Sequence, residues 1–224
     1  MSTPNDPPVA RKPSTTDPAV AAAGPNLTVD FVGGRVGYQF RRGTGRSHGL
    51  AKAVGATSKP IPTVIDATAG LGRDAFLLAS LGMHVTLIER CPQVHDLLAD
   101  GLARATAASA ALAAVISRMT LLRGDSKDLL RQLQADVVVV DPMHPPRDGA
   151  ALVKKEMRAL RALVGADSDT LQLMQVALDS ARRRVVLKWP RRAAPLAGLP
   201  EPSHRILGKT VRYDVFMCRQ DRPS

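Results

Sequence analysis

Cysteine is scarce, with two in 224 residues, Cys91 and Cys218. A single pair builds no disulfide framework, and with no His-rich tract to help it completes no four-ligand zinc site. A reducing cytoplasm is the expected setting, and no metal is expected. Aromatic residues make up only 3% of the chain, with Trp189 the single tryptophan, so the core has to be mostly aliphatic. No stretch approaches the roughly 18 consecutive apolar residues of a membrane span, and residues 1–25 hold no apolar core of the kind a secretory signal carries. Neither insertion nor secretion is expected. Acids are the scarcer charge, 20 Asp and Glu against 31 Lys and Arg, a net charge of +11. Such a surplus attracts a polyanion such as nucleic acid or an anionic membrane surface.

Residues 1–25 combine Pro4, Pro7, Pro8, Pro13, Pro18 and Pro25 with Ala, Ser, Thr and Asp, a mixture too poor in apolar surface to repay ordering, and read as a disordered tail. Residues 26–60 are expected as a small β subdomain: Leu27 to Val32 and Arg35 to Phe40 favour strands, and Gly33-Gly34 between them signals a hairpin. The same region carries Arg35, Arg41, Arg42, Arg46, Lys52 and Lys59 with no acid between 35 and 59. Residues 61–219 alternate strand and helix signals. Strands are expected at Thr63 to Ala67, Val85 to Glu89, Met119 to Arg123, Val137 to Val140 and Val185 to Trp189. Helices are expected from Arg73 to Leu81, in one long run after Pro92, from Ser126 to Gln132, and near 150–163 and 169–183. Arg205 to Leu207 and Val211 to Cys218, separated by Gly208-Lys209-Thr210, read as an antiparallel edge hairpin. Apolar strands alternating with helices predict an α/β fold with a mostly parallel sheet covered on both faces.

Two constellations carry chemistry. Gly70-Leu71-Gly72-Arg73-Asp74 follows the first core strand and opens a helix, and Glu89 stands 19 residues after Gly70 at the end of the second strand. Glycines let the backbone approach a ligand, and an acid at that strand tip accepts hydrogen bonds from ribose hydroxyls, a layout that suits NAD and S-adenosylmethionine equally. The bland alternative is a tight turn. Asp141-Pro142-Met143-His144-Pro145-Pro146 follows the strand Val137 to Val140. The lone pair of an aromatic amine is delocalised into its ring, so a methyl-transfer site needs acceptors that hold the amine hydrogens and orient the nitrogen. The Asp141 carboxylate and the Pro142 carbonyl have that character, with His144 or a neighbour stacking on the base. A Pro-rich loop with Asp141 capping a helix is the alternative here. The run Arg182, Arg183, Arg184, Lys188, Arg191, Arg192 has no acid and is read either as a phosphate-following stripe or as a solvated face.

Val64 to Ala75, Leu87-Ile88-Glu89-Arg90, Asp141-Pro142-Met143 and Ala151 to Arg158, in that order, resemble the RsmJ family, and the likeness extends from about Leu27 to Val215. The resemblance implies a Rossmann-like class I methyltransferase with about seven strands, dependent on S-adenosylmethionine (SAM). Its implied substrate is the exocyclic N2 amine of a guanine in 16S ribosomal RNA, on naked RNA or on the small ribosomal subunit. It implies cofactor contacts from Gly70, Gly72, Arg73, Asp74, Glu89, Arg90, Asp125, Ser126 and Asp141, and a catalytic loop of Asp141, Pro142 and His144. The family usually carries Phe or Tyr where His144 stands. Amino-group methylation of adenine or cytosine, a non-catalytic RNA chaperone and an NAD-dependent oxidoreductase are the competing readings; the oxidoreductase leaves the Pro-rich loop without a use, and the chaperone leaves Asp141 without one.

Overall fold

The computed structural model describes residues 27–34, 37, 38, 40, 48–142 and 169–218. After helix α1 (Gly49–Val54) come β1 (Val64–Asp66), α2 (Arg73–Ser80), β2 (Val85–Glu89), α3 (Pro92–Ala108), α4 (Ala110–Ile116) and β3 (Met119–Arg123). The second half holds α5 (Ser126–Leu129), β4 (Ala135–Val140), α6 (Thr170–Ser180), β5 (Ala181–Pro190), β6 (His204–Leu207) and β7 (Val211–Met217). The strands form one seven-stranded sheet in the order β3-β2-β1-β4-β5-β7-β6. β1 to β5 pair in parallel, while β7 runs antiparallel to both β5 and β6. This is the expected α/β architecture, with the edge hairpin in place.

Strand alternation distributes the aliphatic side chains between two cores. Val64, Val137, Val139 and Val186 face the layer that holds α1, α2 and α3. Ile65, Val138, Val140, Val185 and Leu187 face the layer that holds α6. A sheet buried on both sides explains why a central segment such as Val137 to Val140 reads as an unbroken β-branched run rather than as alternation.

The helical run after Pro92 is two helices. Ser109 is extended (φ −166°, ψ 154°), and its hydroxyl accepts the Leu112 N–H at 3.2 Å to cap α4. α6 stops at Ser180 rather than near 183, because Ala181 already pairs with Ala135 and the strand continues through three arginines to Pro190.

The expected amino-terminal hairpin does not form among the described residues. Leu27, Val29 and Phe31 alternate inward as a strand would, but they meet helices. Val29 lies on Gly101 of α3, where an added Cβ would come within 2.6 Å of the Val29 Cγ1, and its carbonyl accepts the Arg104 Nη2 at 2.8 Å. The Phe31 ring stacks on Phe76 of α2, with centroids 4.8 Å apart. Past Phe31 the Asp30 carboxylate accepts the N–H groups of Val32 and Gly33, both at 2.9 Å, which turns the chain. Gly37, Tyr38 and Phe40 are helical, with the Tyr38 N–H donating to the Gly34 carbonyl at 3.0 Å. An Asx turn leading into a helical turn therefore takes the place of the hairpin turn. Phe31→Ala is expected to lower unfolding stability by about 3–5 kcal/mol in urea titration, the range for deleting a buried aromatic side chain. A loss below about 1 kcal/mol would detach residues 27–34 from the core.

Candidate functional site

The sheet order reverses direction between β1 and β4, and the carboxyl ends of strands at such a switch point are where open α/β sheets bind ligands. A cavity of about 270 Å³ opens there. Its floor is the loop leaving β1, which is stitched to its neighbours. Ala67 N–H donates to the Val139 carbonyl at 2.9 Å, and Ala69 N–H donates to the Ile88 carbonyl at 3.1 Å. The Thr68 hydroxyl accepts the Asp141 N–H at 2.7 Å, and the buried Ser126 hydroxyl donates to the Ala67 carbonyl at 2.6 Å.

Glu89 ends β2 and is 5% exposed. Its Oε2 accepts the Gly70 N–H at 2.8 Å and its Oε1 accepts the Cys91 N–H at 2.8 Å. Two backbone donors thus fix the carboxylate on the cavity wall, and Gly70 (φ 51°) takes a left-handed conformation that favours glycine. Gly72 is not on that wall. Its φ is 69°, and a Cβ there would meet Leu98 Cδ1 at 2.7 Å, so helix packing accounts for this glycine. Arg73 lines the cavity at the start of α2.

Beside Glu89, Asp125 caps α5 by accepting the Lys127 N–H at 2.8 Å. Lys127 Nζ contacts Asp169 at 2.5 Å and Asp125 at 3.6 Å, and Arg90 Nη1 contacts Asp169 at 3.3 Å. The Lys127 hydrogen bond holds the Asp169 carboxyl below its usual range, with Arg90 adding to the effect. Asp169 and Lys127 went unrecognised in the sequence, because neither lies in a motif.

At the other end, Asp141 and the buried Pro142 close the cavity beyond β4. Lys188 Nζ lies 2.7 Å from Asp141 Oδ2 and 2.7 Å from Asp74 Oδ2. Lys188 therefore leaves the basic stripe in which the sequence places it. Beneath this group Asp66 is 4% exposed; burial, reinforced by the neighbouring Asp74 charge, pushes its carboxyl up to about 7. His144, Lys154, Lys155 and Glu156 lie outside the described residues, as does the expected helix near 150–163.

The SAM_MT family of SAM-dependent methyltransferases matches residues 18–218. Ribosomal RNA small subunit methyltransferase J of Rhodopseudomonas palustris strain HaA2 is 65% identical over 199 residues, covering 88% of this chain and 91% of that protein. The methyltransferase J of Agrobacterium fabrum is 62% identical over 192 residues, covering 86% and 92%. The chain belongs to the methyltransferase J family. A crystal structure of a SAM-dependent methyltransferase from Neisseria gonorrhoeae shares the fold at a TM-score of 0.69 and 37% identity, over 88% of this chain and 76% of that one. As a family member the chain is a SAM-dependent methyltransferase, and its cavity fits that cofactor. A fixed buried acid faces a loop whose Gly70 adds no side chain, and Leu71, Ile88 and Leu173 supply apolar wall for a flat ring. Among the described residues no helix is long and apolar enough to cross a membrane.

Asp66 gives the site a measurable pH dependence. The folded chain keeps a proton on this carboxyl up to about pH 7, whereas the ordinary value is 3.8. Between those values the folded state binds more protons than the unfolded one, so Asp66 makes stability fall as pH rises through that window. Asp66→Asn keeps an acceptor for the Thr68 N–H, which donates to Asp66 Oδ1 at 3.2 Å. The variant is expected to lose that slope and, at pH 8, to exceed the wild type by on the order of 1–4 kcal/mol in urea titration. An unchanged slope would assign the titration to another group.

Proposed function

We propose that this methyltransferase acts on the N2 amine of a guanine in 16S ribosomal RNA, and that Asp141 and Pro142 hold the amine. The observation that carries this reading is the placement of Asp141-Pro142 in the same cavity as the fixed Glu89, at the end where the β4 and β5 strands finish. The methyltransferase J relatives at 62–65% identity supply the ribosomal RNA substrate through their names.

Glu89 accepts hydrogen bonds from the ribose hydroxyls, with Arg90, Asp125 and Ser126 forming the adenine end and Arg73 and Asp74 the amino-acid end. When bound, SAM supplies a methyl group on a cationic sulfonium. The Asp141 carboxylate and the Pro142 carbonyl accept the two amine hydrogens, which turns the nitrogen lone pair out of conjugation and toward the methyl carbon. Asp141 also holds the proton that the amine sheds on becoming a secondary amine. A guanine inside a helix has to leave its stack to reach this depth, and an aromatic face in the loop after Pro142 would receive it, a role that falls to His144.

The RNA itself meets a basic rim. Arg191 and Arg192 are exposed directly after β5, on the edge of the sheet that carries the cavity. Their turn is rigid, because the buried Arg212 Nη1 donates to the carbonyls of Pro190, Arg191 and Ala193 at 3.2, 3.2 and 2.7 Å. Such charges add affinity through phosphate contacts without sequence preference. An RNA substrate in turn fits a cytoplasmic enzyme.

Mass-spectrometric mapping of methylated nucleosides in ribosomal RNA, from cells with and without the gene, is expected to show one N2-methylguanine that depends on the gene. A dependent methyladenine or methylcytosine would instead favour the related amino-group reading. Asp141→Ala is expected to leave Tm nearly unchanged and to slow single-turnover methylation at saturating SAM by roughly 100-fold or more, the scale of a lost positioned polar group. Normal turnover at saturation would restrict Asp141 to cofactor binding.

A further inference from the structure

The ammonium of Lys188 is wedged between two carboxylates that come from different parts of the chain. Asp74 sits in the first turn of α2, and Asp141 follows β4. Both Nζ to Oδ2 distances are 2.7 Å, and the Lys188 side chain is 21% exposed. Asp66 from β1 and Tyr213 from β7 also act on this cluster. Three acids and one lysine therefore share one pocket end, well separated in role from the Glu89 end. Without the ammonium, Asp74 and Asp141 would each lose a cation held at 2.7 Å, with a third acid, Asp66, close by.

We propose that Lys188 is the positioning residue of the methyl-transfer site: by tying Asp141 to the first turn of α2 it keeps that carboxylate charged and fixed for the incoming amino group. This rests on the reading that Asp141 receives the amine. A protonated Asp141 would lose acceptor capacity and present a donor to an amine that offers only donors, so the charge state of this carboxylate decides whether the amine is bound productively. Burial works against the Lys188 charge, but the Asp141 and Asp74 carboxylates outweigh it and hold the lysine protonated far above its usual range. Lys188 is thus a permanent cation throughout the working pH range. The group that titrates near neutrality is Asp66, and the Lys188 charge is one of the influences that lower it. Burial and the Asp74 charge likewise push the Tyr213 hydroxyl up to about 12, so it stays neutral and offers no substitute charge.

The test compares Lys188→Met, which keeps length and removes charge, with Lys188→Arg, which keeps charge. Single-turnover methylation of small-subunit ribosomal RNA is measured from pH 6 to pH 9 at saturating SAM. In the wild type and in Lys188→Arg the acidic limb of the profile should coincide. In Lys188→Met it should move up by about one pH unit or more, because Asp141 and Asp74 lose the cation between them. The loss should be about 100-fold at pH 6.5 and should shrink to about 10-fold or less at pH 9. In an Asp141→Ala background, Lys188→Met should add less than about 3-fold, since residues that act as a unit are not additive. A loss of equal size at every pH, or one that multiplies with Asp141→Ala, would overturn the proposal and leave Asp141 in its role. Wild-type turnover by Asp141→Ala alone would overturn the Asp141 reading first, and this proposal with it. Urea midpoints of all variants show whether a loss comes from unfolding; a pH-independent loss that tracks the midpoint counts against the proposal.

Discussion

Four residues between β1 and α2, Ala67 to Gly70, connect the ends of β2, β3 and β4, and the geometry of the site depends on those connections. The backbone of Ala67 and Ala69 bonds to β4 and β2, the Thr68 hydroxyl anchors the Asp141 amide, and the Gly70 amide anchors Glu89. Ser126 fastens the end of the β3 connection to the Ala67 carbonyl. A loop of this kind has few internal hydrogen bonds of its own, so its amides and hydroxyl are available to fix side chains on other strands. Displacing it by an ångström would move Glu89 and Asp141 together.

Charge is divided between the two ends of the cavity in different ways. Around Glu89 the ions are half-buried pairs, with Asp169 between Arg90 and Lys127. Solvent screens such pairs, so they order the α6 entrance more than they stabilise the fold. Around Asp141 a lysine lies between two carboxylates at 2.7 Å, above the buried Asp66, whose raised carboxyl owes most to burial and next to the Asp74 charge. Among the described residues this end gathers Asp66, Asp74 and Asp141 around Lys188, an arrangement that suits a cationic cofactor.

Much of the sheet was legible from apolar runs such as Val137 to Val140, because strands buried on both faces favour continuous apolar composition. Glu89 and Asp141 were legible for a related reason, since each ends such a run and strand ends are where this architecture gathers ligands. Lys188 was harder. Composition placed it with the arginines around it, and only the register of β5 against β4, with Val140 opposite Leu187, carries it to the cavity edge. The alternation Leu27, Val29, Phe31 misled for the opposite reason, because an extended segment packed on helices buries every second side chain just as a strand does. Gly72 resembled a cofactor glycine, yet its need for a positive φ and for space beside Leu98 has the same signature in one sequence.

The insertion of β7 between β5 and β6 has a consequence for the growing chain. β5 and β6 leave the ribosome before the strand that separates them, so until residues 211–217 emerge the β5 edge that later pairs with Tyr213 and Phe216 has no partner. Domains consolidate from the amino terminus during synthesis, and an unpaired apolar edge is a template for the wrong neighbour. Completion of the sheet and of the Arg212-braced turn beside the cavity is therefore tied to one late event, the arrival of β7. A nascent chain shorter than this exposes a sticky edge next to a half-built site.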